Sequence, residues 1–358
     1  MQSLIEQKLK SFTDPYLQKN LVDAGVVKSI AAGQGKVSVV LKYGFPIAGY
    51  RERLSAELES SLREVEGVKS VSIEIAVEII PHAVQKTLSH MQGVKNIIAI
   101  ASGKGGVGKS TTAVNLALAL KAEGANVGLL DADIYGPSQT IMLGMQGKPD
   151  VQGQHLQPKV SHGVQAMSIG LMIDEETPMV WRGPMATQAL QQLLFETQWT
   201  GLDYLIVDLP PGTGDIQLTL SQRVPVSAAV IVTTPQDIAL LDARKALKMF
   251  EKVDVPVMGI IENMSVHICS QCGHAEPIFG AGGGERMAKD YNIELLGALP
   301  LDMRIREQAD GGTPTVAVEP EGPIAQIYRE IARKLTAKLS LRGKDYAGVF
   351  PKIVIQND

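Results

Sequence analysis

The sequence predicts a doubly wound α/β domain with a parallel sheet, preceded by a small α+β domain. From Asn96 onwards, short strands that are apolar on both sides alternate with helical segments, as in a parallel sheet covered on both faces. Before about residue 80 an amphipathic helix, a pair of strands, a second helix and an alternating strand follow one another. The length of 358 residues also favours one large domain plus a smaller one.

The predicted small domain contains a hairpin and a helix. The strand-like runs VVKSIAAGQG and KVSVVLKYG meet at the turn Gly33-Gln34-Gly35. The segment RERLSAELESSLREVEG has leucines at positions 54, 58 and 62 on one helical face, and VKSVSIEIAVEII alternates like a strand. The predicted organisation is a small α+β domain (1–80), a linker (81–94), a large nucleotide-binding domain (95–342) and a tail (343–358).

Five runs of the large domain are predicted as strands, namely NIIAIAS, NVGLLDAD, YLIVDLP, SAAVIVTT and VPVMGIIEN. Helical segments such as STTAVNLALALKAEG and DIALLDARKALKMFEKV lie between them, and PIAQIYREIARKLTAKL is predicted to pack on the sheet as the last helix. Ligands of such sheets bind beyond the carboxyl ends of the strands. We therefore expect the functional side chains at that edge.

Composition narrows the classes of partner. A net charge of -4 and an aromatic fraction of 4% give no sign of a nucleic-acid surface. No apolar run approaches the roughly 20 residues of a membrane-spanning helix, and the N-terminus is too polar for a secretory signal. The expectation is a cytoplasmic protein that binds neither nucleic acid nor a membrane.

Residues 103–110 match the phosphate-binding pattern G-x-x-x-x-G-K-[ST] between an apolar strand and a helix. Glycines allow backbone N–H groups to approach phosphates closely, and the helix N-terminus adds its positive end. Lys109 is expected at the β- and γ-phosphates of ATP or a close relative, and Ser110 at Mg²⁺. The predicted nucleotide-binding residues of this loop are Gly103, Lys104, Gly105, Gly106, Val107, Gly108, Lys109, Ser110 and Thr111.

A second lysine, Lys104, distinguishes this loop. The string KGGVGKST resembles the deviant Walker A loop of the MinD, ParA, ArsA and nitrogenase iron-protein class. In that class the extra lysine reaches across a dimer interface to the nucleotide of the partner chain. The resemblance implies this role for Lys104, whereas the physics of the sequence alone favours a solvated lysine in a loop.

Two aspartates, Asp131 and Asp133, end the strand NVGLLDAD on the same side, because they are two residues apart. The family resemblance makes this segment switch I, in which Asp133 would position or deprotonate the attacking water. Asp131 would support Mg²⁺. The structural alternative is a helix cap or turn residue before the Tyr135-Gly136-Pro137 segment.

Two further strand ends carry candidate residues. Asp208 follows an apolar strand, which suits a Walker B carboxylate that holds the Mg²⁺ hydration shell. The loop after it resembles switch II, where Gly212 could present its N–H to the γ-phosphate. Asn263 could pair with the edge of adenine through its amide, as its match to the family's base-contact position implies, or could simply form a turn.

The cysteines of the sequence are Cys269 and Cys272, in HICSQCGHAEPIFG. The context is not that of a thioredoxin-like redox pair. A zinc ion bound also by His267 and His274 looks strained, because each histidine lies only two residues from a cysteine. An iron–sulfur cluster normally takes four thiolates, which a two-fold dimer would supply. Spacing and context support an intermolecular zinc and an intermolecular cluster about equally.

Longer stretches, including LLDADIYGPS, DYLIVDLPPGTGDIQLTLSQ and PLDMRIREQADGGTPTV, resemble the Mrp/ApbC family of iron–sulfur cluster carriers over about residues 95–340. The resemblance implies an ATPase whose homodimer holds a labile [4Fe–4S] cluster between the two cysteine pairs. The cluster would pass to apo-proteins, with cluster-assembly scaffolds as further partners. The alternatives are a MinD- or ParA-like positioning switch, which has no use for the cysteines, and a nucleotidase with a structural intermolecular zinc.

The first 80 residues resemble the small domain that is often fused to these carriers and occurs alone in iron–sulfur maturation factors. The stretches DPYLQKNLVDAGVVKSI and LREVEGVKSVSIEI carry this likeness. Such domains often present a cysteine before a proline, but the matching stretch here is Tyr43-Gly44-Phe45-Pro46. The resemblance therefore implies docking of client or partner proteins and leaves cysteine chemistry in this domain in doubt.

Overall fold

The structure, a computed structural model, describes residues 1–85, 88–172, 183–269 and 271–343. Apart from its first residue, the predicted tail lies outside the described residues. Strands and helices of the small unit are α1 (Gln2–Ser11), β1 (Thr13–Asp14), β2 (Lys19–Asn20), β3 (Val27–Gly33), β4 (Lys36–Tyr43), α2 (Ala48–Arg63) and β5 (Ser70–Val77).

The large unit follows with β6 (Val94–Ala101), α3 (Lys109–Ala122), β7 (Val127–Asp131), α4 (Gln139–Met142), β8 (Val151–Gln152), β9 (His155–Leu156), β10 (Lys159–Ser161), β11 (Val164–Ser168), α5 (Gly183–Phe195), β12 (Leu202–Asp208), α6 (Asp215–Arg223), β13 (Ala228–Thr233) and α7 (Asp237–Lys252). It ends with β14 (Val257–Glu262), β15 (His267–Ile268), β16 (Ala275–Glu276), α8 (Gly283–Asp290), β17 (Glu294–Ala298), α9 (Met303–Asp310), α10 (Thr315–Val318) and α11 (Pro323–Ser340).

The main sheet has eight strands within the described residues, in the order β10-β11-β7-β12-β6-β13-β14-β17. Only the edge pair β10–β11 is antiparallel among them. Helices α3 and α11 bury apolar side chains against one face of the sheet, and α5 and the end of α7 contribute to the core on the other. This confirms the predicted doubly wound sheet. No helix among the described residues has the length and apolar character needed to cross a membrane.

The small unit is built on the sheet β3-β4-β5, in which β3–β4 is the predicted hairpin. Its turn residues Gln34 and Gly35 both have positive φ, 52° and 79°, which suits the tight two-residue connection. The three leucines predicted on one face of α2 are buried in the core of this unit. Phe45, which precedes Pro46, is also fully buried, so this position contributes a core aromatic ring.

Helix α11 joins the two units. Ala337 on this helix belongs to the core of the small unit. Glu123, at the end of α3, is buried between Arg329 Nε at 2.7 Å and Arg333 at 2.6 Å. The second carboxylate oxygen of Glu123 accepts the backbone N–H of Gly49 at 2.9 Å. One buried acid thus ties the start of α2 to both α3 and α11.

The segment predicted as a linker is held against the large unit where it is described. The backbone N–H of His82 donates to Asn96 Oδ1 at 3.0 Å. The amide of Gln85 donates to the carbonyl of Ser221 at 2.7 Å and accepts the N–H of Val226 at 3.1 Å. These contacts fix the path of the chain between the units.

Candidate nucleotide and metal site

The predicted phosphate-binding loop connects β6 to α3. Gly106 and Gly108 adopt φ of 80° and 79°, a region that side chains other than glycine rarely enter. A Cβ at Gly108 would lie 2.1 Å from Asn263 Nδ2, and one at Gly103 would lie 2.1 Å from the carbonyl carbon of Asp242 in α7. Glycine is therefore required at position 108 by conformation and by contact, and at position 103 by contact.

Lys109, the first residue of α3, lies at the centre of the site. Its ammonium forms a buried ion pair with Asp208 at the end of β12. It also donates to Ser110 Oγ at 3.2 Å and lies 3.9 Å from Asp133 Oδ2. The structure thus brings three other predicted site residues around the ammonium group of Lys109.

Asp131 and Asp133 occupy different environments. Asp131 is fully buried and accepts hydrogen bonds from the backbone N–H groups of Asp133, Ser138 and Gln139 and from the hydroxyl of Ser168 at 2.9 Å. Burial, together with repulsion by the carboxylate of Asp208, raises the pKa of Asp131 to about 7. Asp131 therefore shapes the loop that follows β7, as the turn alternative anticipated, and its contribution to Mg²⁺ binding stays a prediction.

Asp133 is closer to the phosphate loop. Burial raises the pKa of its carboxyl group, while the nearby Lys109 ammonium opposes that rise and Asp208 adds to it. A carboxylate whose pKa is raised is a better proton acceptor than an exposed one. The position and the direction of the shift are compatible with the predicted role in orienting or deprotonating water.

Gly212 and Asn263, the predicted contacts of the γ-phosphate and of adenine, form hydrogen bonds with the phosphate loop or with the residue before it. The N–H of Gly212 donates to the carbonyl of Ser102 at 3.0 Å. Asn263 Nδ2 donates to the carbonyl of Val107 at 2.9 Å, and its backbone N–H donates to Thr233 at 2.7 Å. In this state Asn263 fastens β14 to the phosphate loop, and the adenine contact stays a prediction.

The predicted trans-acting lysine, Lys104, is half-buried. The hydroxyl of Ser102 donates to its backbone carbonyl at 2.9 Å. Its ammonium forms no hydrogen bond or ion pair with the described part of the chain. The charge of Lys104 is thus uncompensated beside a loop built for anions.

The cysteine pair lies on the short hairpin β15–β16. Cys269 N–H donates to the carbonyl of His274, and Gly273 N–H donates back to the carbonyl of Cys269, both at 2.9 Å. Hydrogen bonds from the backbone N–H groups of Cys272 and Gln271 lower the pKa of the Cys269 thiol. N–H groups directed at sulfur stabilise a thiolate, the form that binds metal. Cys272 is exposed.

The histidines of the zinc alternative do not complete this pair. The ring Nδ1 of His267 donates to the carbonyl of Leu301 at 3.1 Å, which leaves only Nε2 of this ring as a possible ligand, and His274 is exposed. No group of three or more His, Cys, Asp or Glu side chains in the described ranges is placed to hold a metal ion together. One chain therefore offers two adjacent thiols.

A short, well-anchored segment joins the two parts of the site. Six positions after Asn263, the chain reaches Cys269. Between them, the hydroxyl and N–H of Ser265 both donate to the carbonyl of Leu299, at 2.9 and 3.0 Å, and the N–H of Leu301 donates to Val266 at 2.9 Å. A hydrogen-bonded segment thus connects the predicted phosphate-binding loop to the turn that carries the thiols.

Two residues of the site were missed in the sequence. Gln139 is buried beside the phosphate loop, and Ser168 caps the carboxylate of Asp131. Ser168 ends β11, which pairs with β7, so the strand-end rule would have found it had β11 been predicted. No local pattern in the sequence indicates Gln139.

The loop, its buried lysine–aspartate pair and the parallel sheet define a P-loop nucleotidase. The chain belongs to the family described as ParA, NUBPL iron-transfer P-loop NTPase, whose model matches residues 93–336. Residues 2–75 match a second family, described as iron–sulfur cluster assembly protein. These matches confirm the predicted family and the presence of two fused units.

Curated relatives agree with this assignment. The chain is 49% identical to the iron–sulfur cluster carrier protein of Escherichia coli K12 over 97% of its own length and 95% of that protein. It is 58% identical to a protein of the same name from Pseudomonas fragi over 77% of its length and 97% of that protein. A mouse iron–sulfur cluster transfer protein, NUBPL, is 49% identical over 70% of this chain and 79% of that protein.

Solved structures support the fold of the large unit. A nucleotide-binding protein from Archaeoglobus fulgidus in complex with ADP aligns with a TM-score of 0.57 and 36% identity, covering 65% of this chain and 90% of that one. The cell division ATPase MinD of Pyrococcus furiosus aligns with a TM-score of 0.51 and 23% identity, over 67% of this chain and 97% of that one. The second likeness concerns the fold alone.

Proposed function

We propose that this chain is an ATP-binding and ATP-hydrolysing carrier that holds a labile [4Fe–4S] cluster as cargo and transfers it to apo-proteins. The observation that carries the proposal is the direct connection between Asn263, which is bonded to the phosphate loop, and the thiol turn at Cys269. The relatives named as cluster carriers support it. A labile cluster on exposed thiols also requires a reducing compartment, which is why we place the carrier in the cytoplasm.

The carrier would act as a homodimer. Each chain supplies Cys269 and Cys272, and a two-fold axis beside the turn would bring four thiolates together, the usual number for such a cluster. The unpaired ammonium of Lys104 supports the same arrangement, because a second chain's nucleotide would supply its missing counter-charge. Assembly scaffolds would load this site and apo-proteins would receive the cargo, with the small unit as the docking surface.

The nucleotide step would begin at Lys109. Phosphates compete with Asp208 for its ammonium, so binding would release the aspartate from its ion pair. Ser110 Oγ and the released Asp208 are oxygen donors of the kind that Mg²⁺ prefers, and they would hold the ion. Mg²⁺ would neutralise charge on the phosphates. Asp133 would orient the attacking water and Lys109 and Lys104 would stabilise the developing charge.

Cargo release would follow from the loop's rearrangement. A shift at Val107 changes the hydrogen bond to Asn263, and the bonded segment from Ser265 to His267 transmits the displacement to the thiol turn. Because the cluster depends on thiols from two chains, a small change in their separation is enough to weaken it. ATP binding or hydrolysis would therefore tune the dimer geometry that retains the cluster.

The test is anaerobic reconstitution with iron and sulfide, with the cluster followed by its broad thiolate-to-iron charge-transfer absorbance. We expect one cluster for every two chains, and loss of the absorbance in Cys269→Ala and in Cys272→Ala. The matched control is His274→Ala, which removes an exposed neighbouring side chain of the same turn and should leave the cluster intact.

Metal analysis of protein purified without oxygen completes the test. Zinc in place of iron would overturn the cluster proposal and favour a structural zinc. A full cluster in the double cysteine variant would also overturn it. ATP-dependent binding to liposomes or DNA that ignores both cysteine substitutions would instead favour a positioning switch.

A further inference from the structure

Gln139 is a buried side chain whose amide nitrogen bridges the two halves of the nucleotide site. Only 1% of the residue is exposed. Its Nε2 donates to the carbonyl of Ser110 at 3.0 Å and to Asp208 Oδ2 at 2.8 Å. Its backbone N–H donates to Asp131 Oδ2 at 3.1 Å. The residue therefore contacts the phosphate loop, the end of β12 and the end of β7 together.

The other end of this amide, Oε1, is a buried acceptor that lacks a hydrogen-bond donor among the described residues. Its orientation is fixed by chemistry, because both partners of Nε2 are acceptors and exchanging the two amide atoms would place oxygen against oxygen. An unsatisfied buried acceptor is costly and rare in native proteins. Oε1 is bonded to the carbon that carries Nε2, so it lies beside Ser110 and Asp208.

We infer that Gln139 is a positioning residue for the nucleotide's metal: Nε2 orients Asp208, and Oε1 accepts a hydrogen bond from a water of the Mg²⁺ hydration shell. This inference rests on the proposed Mg²⁺–nucleotide binding. Mg²⁺ keeps several waters when it binds proteins, and those waters are donors. Donors of that kind are what the buried Oε1 lacks.

Gln139 also explains how Asp208 stays in place when its charge partner leaves. Asp208 Oδ1 pairs with Lys109, and Oδ2 pairs with Gln139. If Lys109 turned to the phosphates of a bound nucleotide, the bond from Gln139 would still hold Oδ2, and Oδ1 would be free to accept a hydrogen bond from metal-bound water. One amide thus serves as the orienting donor and as a second acceptor for that shell.

Two substitutions separate this role from a structural one. Gln139→Met keeps the length of the side chain but removes both hydrogen-bonding groups. Gln139→Glu also removes the donor Nε2, but it keeps an acceptor, strengthens it by charge, and adds a negative group that repels metal-free phosphate. The measurement is the affinity for ADP by calorimetry, once in the presence of Mg²⁺ and once in EDTA. The readout is the affinity in Mg²⁺ divided by the affinity in EDTA.

The expected ratio falls about tenfold in Gln139→Met, since one hydrogen bond to a charged group is lost, and rises in Gln139→Glu. Electron paramagnetic resonance of Mn²⁺ in the presence of ADP should rank the metal affinities in the same way, with Gln139→Glu above the wild-type chain and Gln139→Met below it. The matched control is Gln85→Met, which removes a buried, fully bonded glutamine outside the loop and should leave the ratio unchanged.

Several outcomes would overturn the inference. It fails if the wild-type chain binds ADP more tightly with Mg²⁺ while both Gln139 variants retain the same ratio, or if both variants move it in one direction. If the wild-type chain itself shows no Mg²⁺ dependence, the proposed metal–nucleotide function fails instead. Urea unfolding of each variant verifies that the protein measured is folded.

Discussion

The ion pair between Lys109 and Asp208 is the electrostatic centre of the candidate nucleotide site. Lys109 is 6% exposed and Asp208 is fully buried, so each charge depends on the other for compensation. Removing one member of such a pair leaves an unpaired buried charge, which costs more than the pair itself contributes. The pair thus keeps the phosphate-binding lysine in position before a nucleotide arrives.

The first prediction concerns this pair. Lys109→Met should lower the free energy of unfolding by about 3 kcal/mol, because Asp208 is left charged and buried. Adding Asp208→Asn should restore part of the loss. Urea unfolding measures both variants, with Lys8→Met as the control, since Lys8 pairs with Glu64 on the surface and should change stability by less than about 1 kcal/mol. Equal losses at positions 8 and 109 would contradict the prediction.

For single residues, the sequence shows which side chains belong to the site better than it shows which atoms they contact. The glycines and Lys109 follow from the loop pattern, because phosphate binding demands that local geometry. Asn263 and Gln139 depend on contacts with chain segments far away in sequence, such as Val107 and Asp208. Only the folded chain shows that Asn263 fastens the loop and that Gln139 enters the site at all.

Among the elements, the junction of the phosphate loop with α3 is the most constrained. Gly106 and Gly108 have the same left-handed backbone conformation, but their surroundings differ. A Cβ at Gly106 would meet no atom within 4 Å, whereas one at Gly108 would collide with Asn263 Nδ2. A side chain would strain the backbone at both positions, but it would collide with a neighbour only at Gly108.

The second prediction uses this matched pair. Gly108→Ala should abolish measurable nucleotide binding, because the methyl group displaces Asn263 and with it the carbonyl of Val107. Gly106→Ala should lower the free energy of unfolding by about 1 kcal/mol through strain alone and retain weaker binding. Fluorescent-nucleotide titration and urea unfolding distinguish the two. Equal binding by both variants would show that the contact with Asn263 is unimportant.

The strands differ in how well their sequences reveal them. The five predicted strands form the middle of the sheet, where both faces are covered and apolar residues continue without interruption. The strands β10 and β17, at the two edges, and β11, next to one of them, were not predicted. Edge strands are short and half-exposed, as the burial of β10 and β17 shows, so their residues lack a continuous apolar run.

On the scale of the whole molecule, Glu123 joins the two units. Its carboxylate forms ion pairs with Arg329 and Arg333 of α11 and accepts the N–H of Gly49 at the start of α2. The side chains around Glu123 are so close-packed that a Cβ on Gly49 would lie 2.3 Å from the guanidinium of Arg329. The contact between the units is therefore a specific buried network.

The third prediction is that Glu123→Gln uncouples the units. Arg329 and Arg333 lose the buried acid that they share and keep only their more exposed partners, Glu321 and Glu330, which should cost about 3 kcal/mol. The tryptophans of the sequence, Trp181 and Trp199, both fall in the stretch that the P-loop family model matches, residues 93–336, so we use tryptophan fluorescence as the probe of the large unit. During urea unfolding, circular dichroism and fluorescence should coincide in the wild-type chain and separate in the variant.

A matched control is Glu57→Gln, which breaks the exposed pair with Arg53 and should leave the two transitions coincident. Coincident transitions in Glu123→Gln as well would mean that the apolar contacts of α11, such as Ala337 in the small unit's core, hold the units together without the ion network.

The segment from Asn263 to Cys269 also sets a length. Six residues of fully extended chain span about 20 Å, so the Cα atom of Cys269 can never be farther than that from the Cα atom of Asn263, which binds the phosphate loop. Each inserted residue would add about 3.3 Å to this limit and each deletion would remove as much. The number of residues between Asn263 and Cys269 thus limits the distance between the two sites. Variants that change this number should alter the distance between nucleotide and cargo while leaving both sites intact.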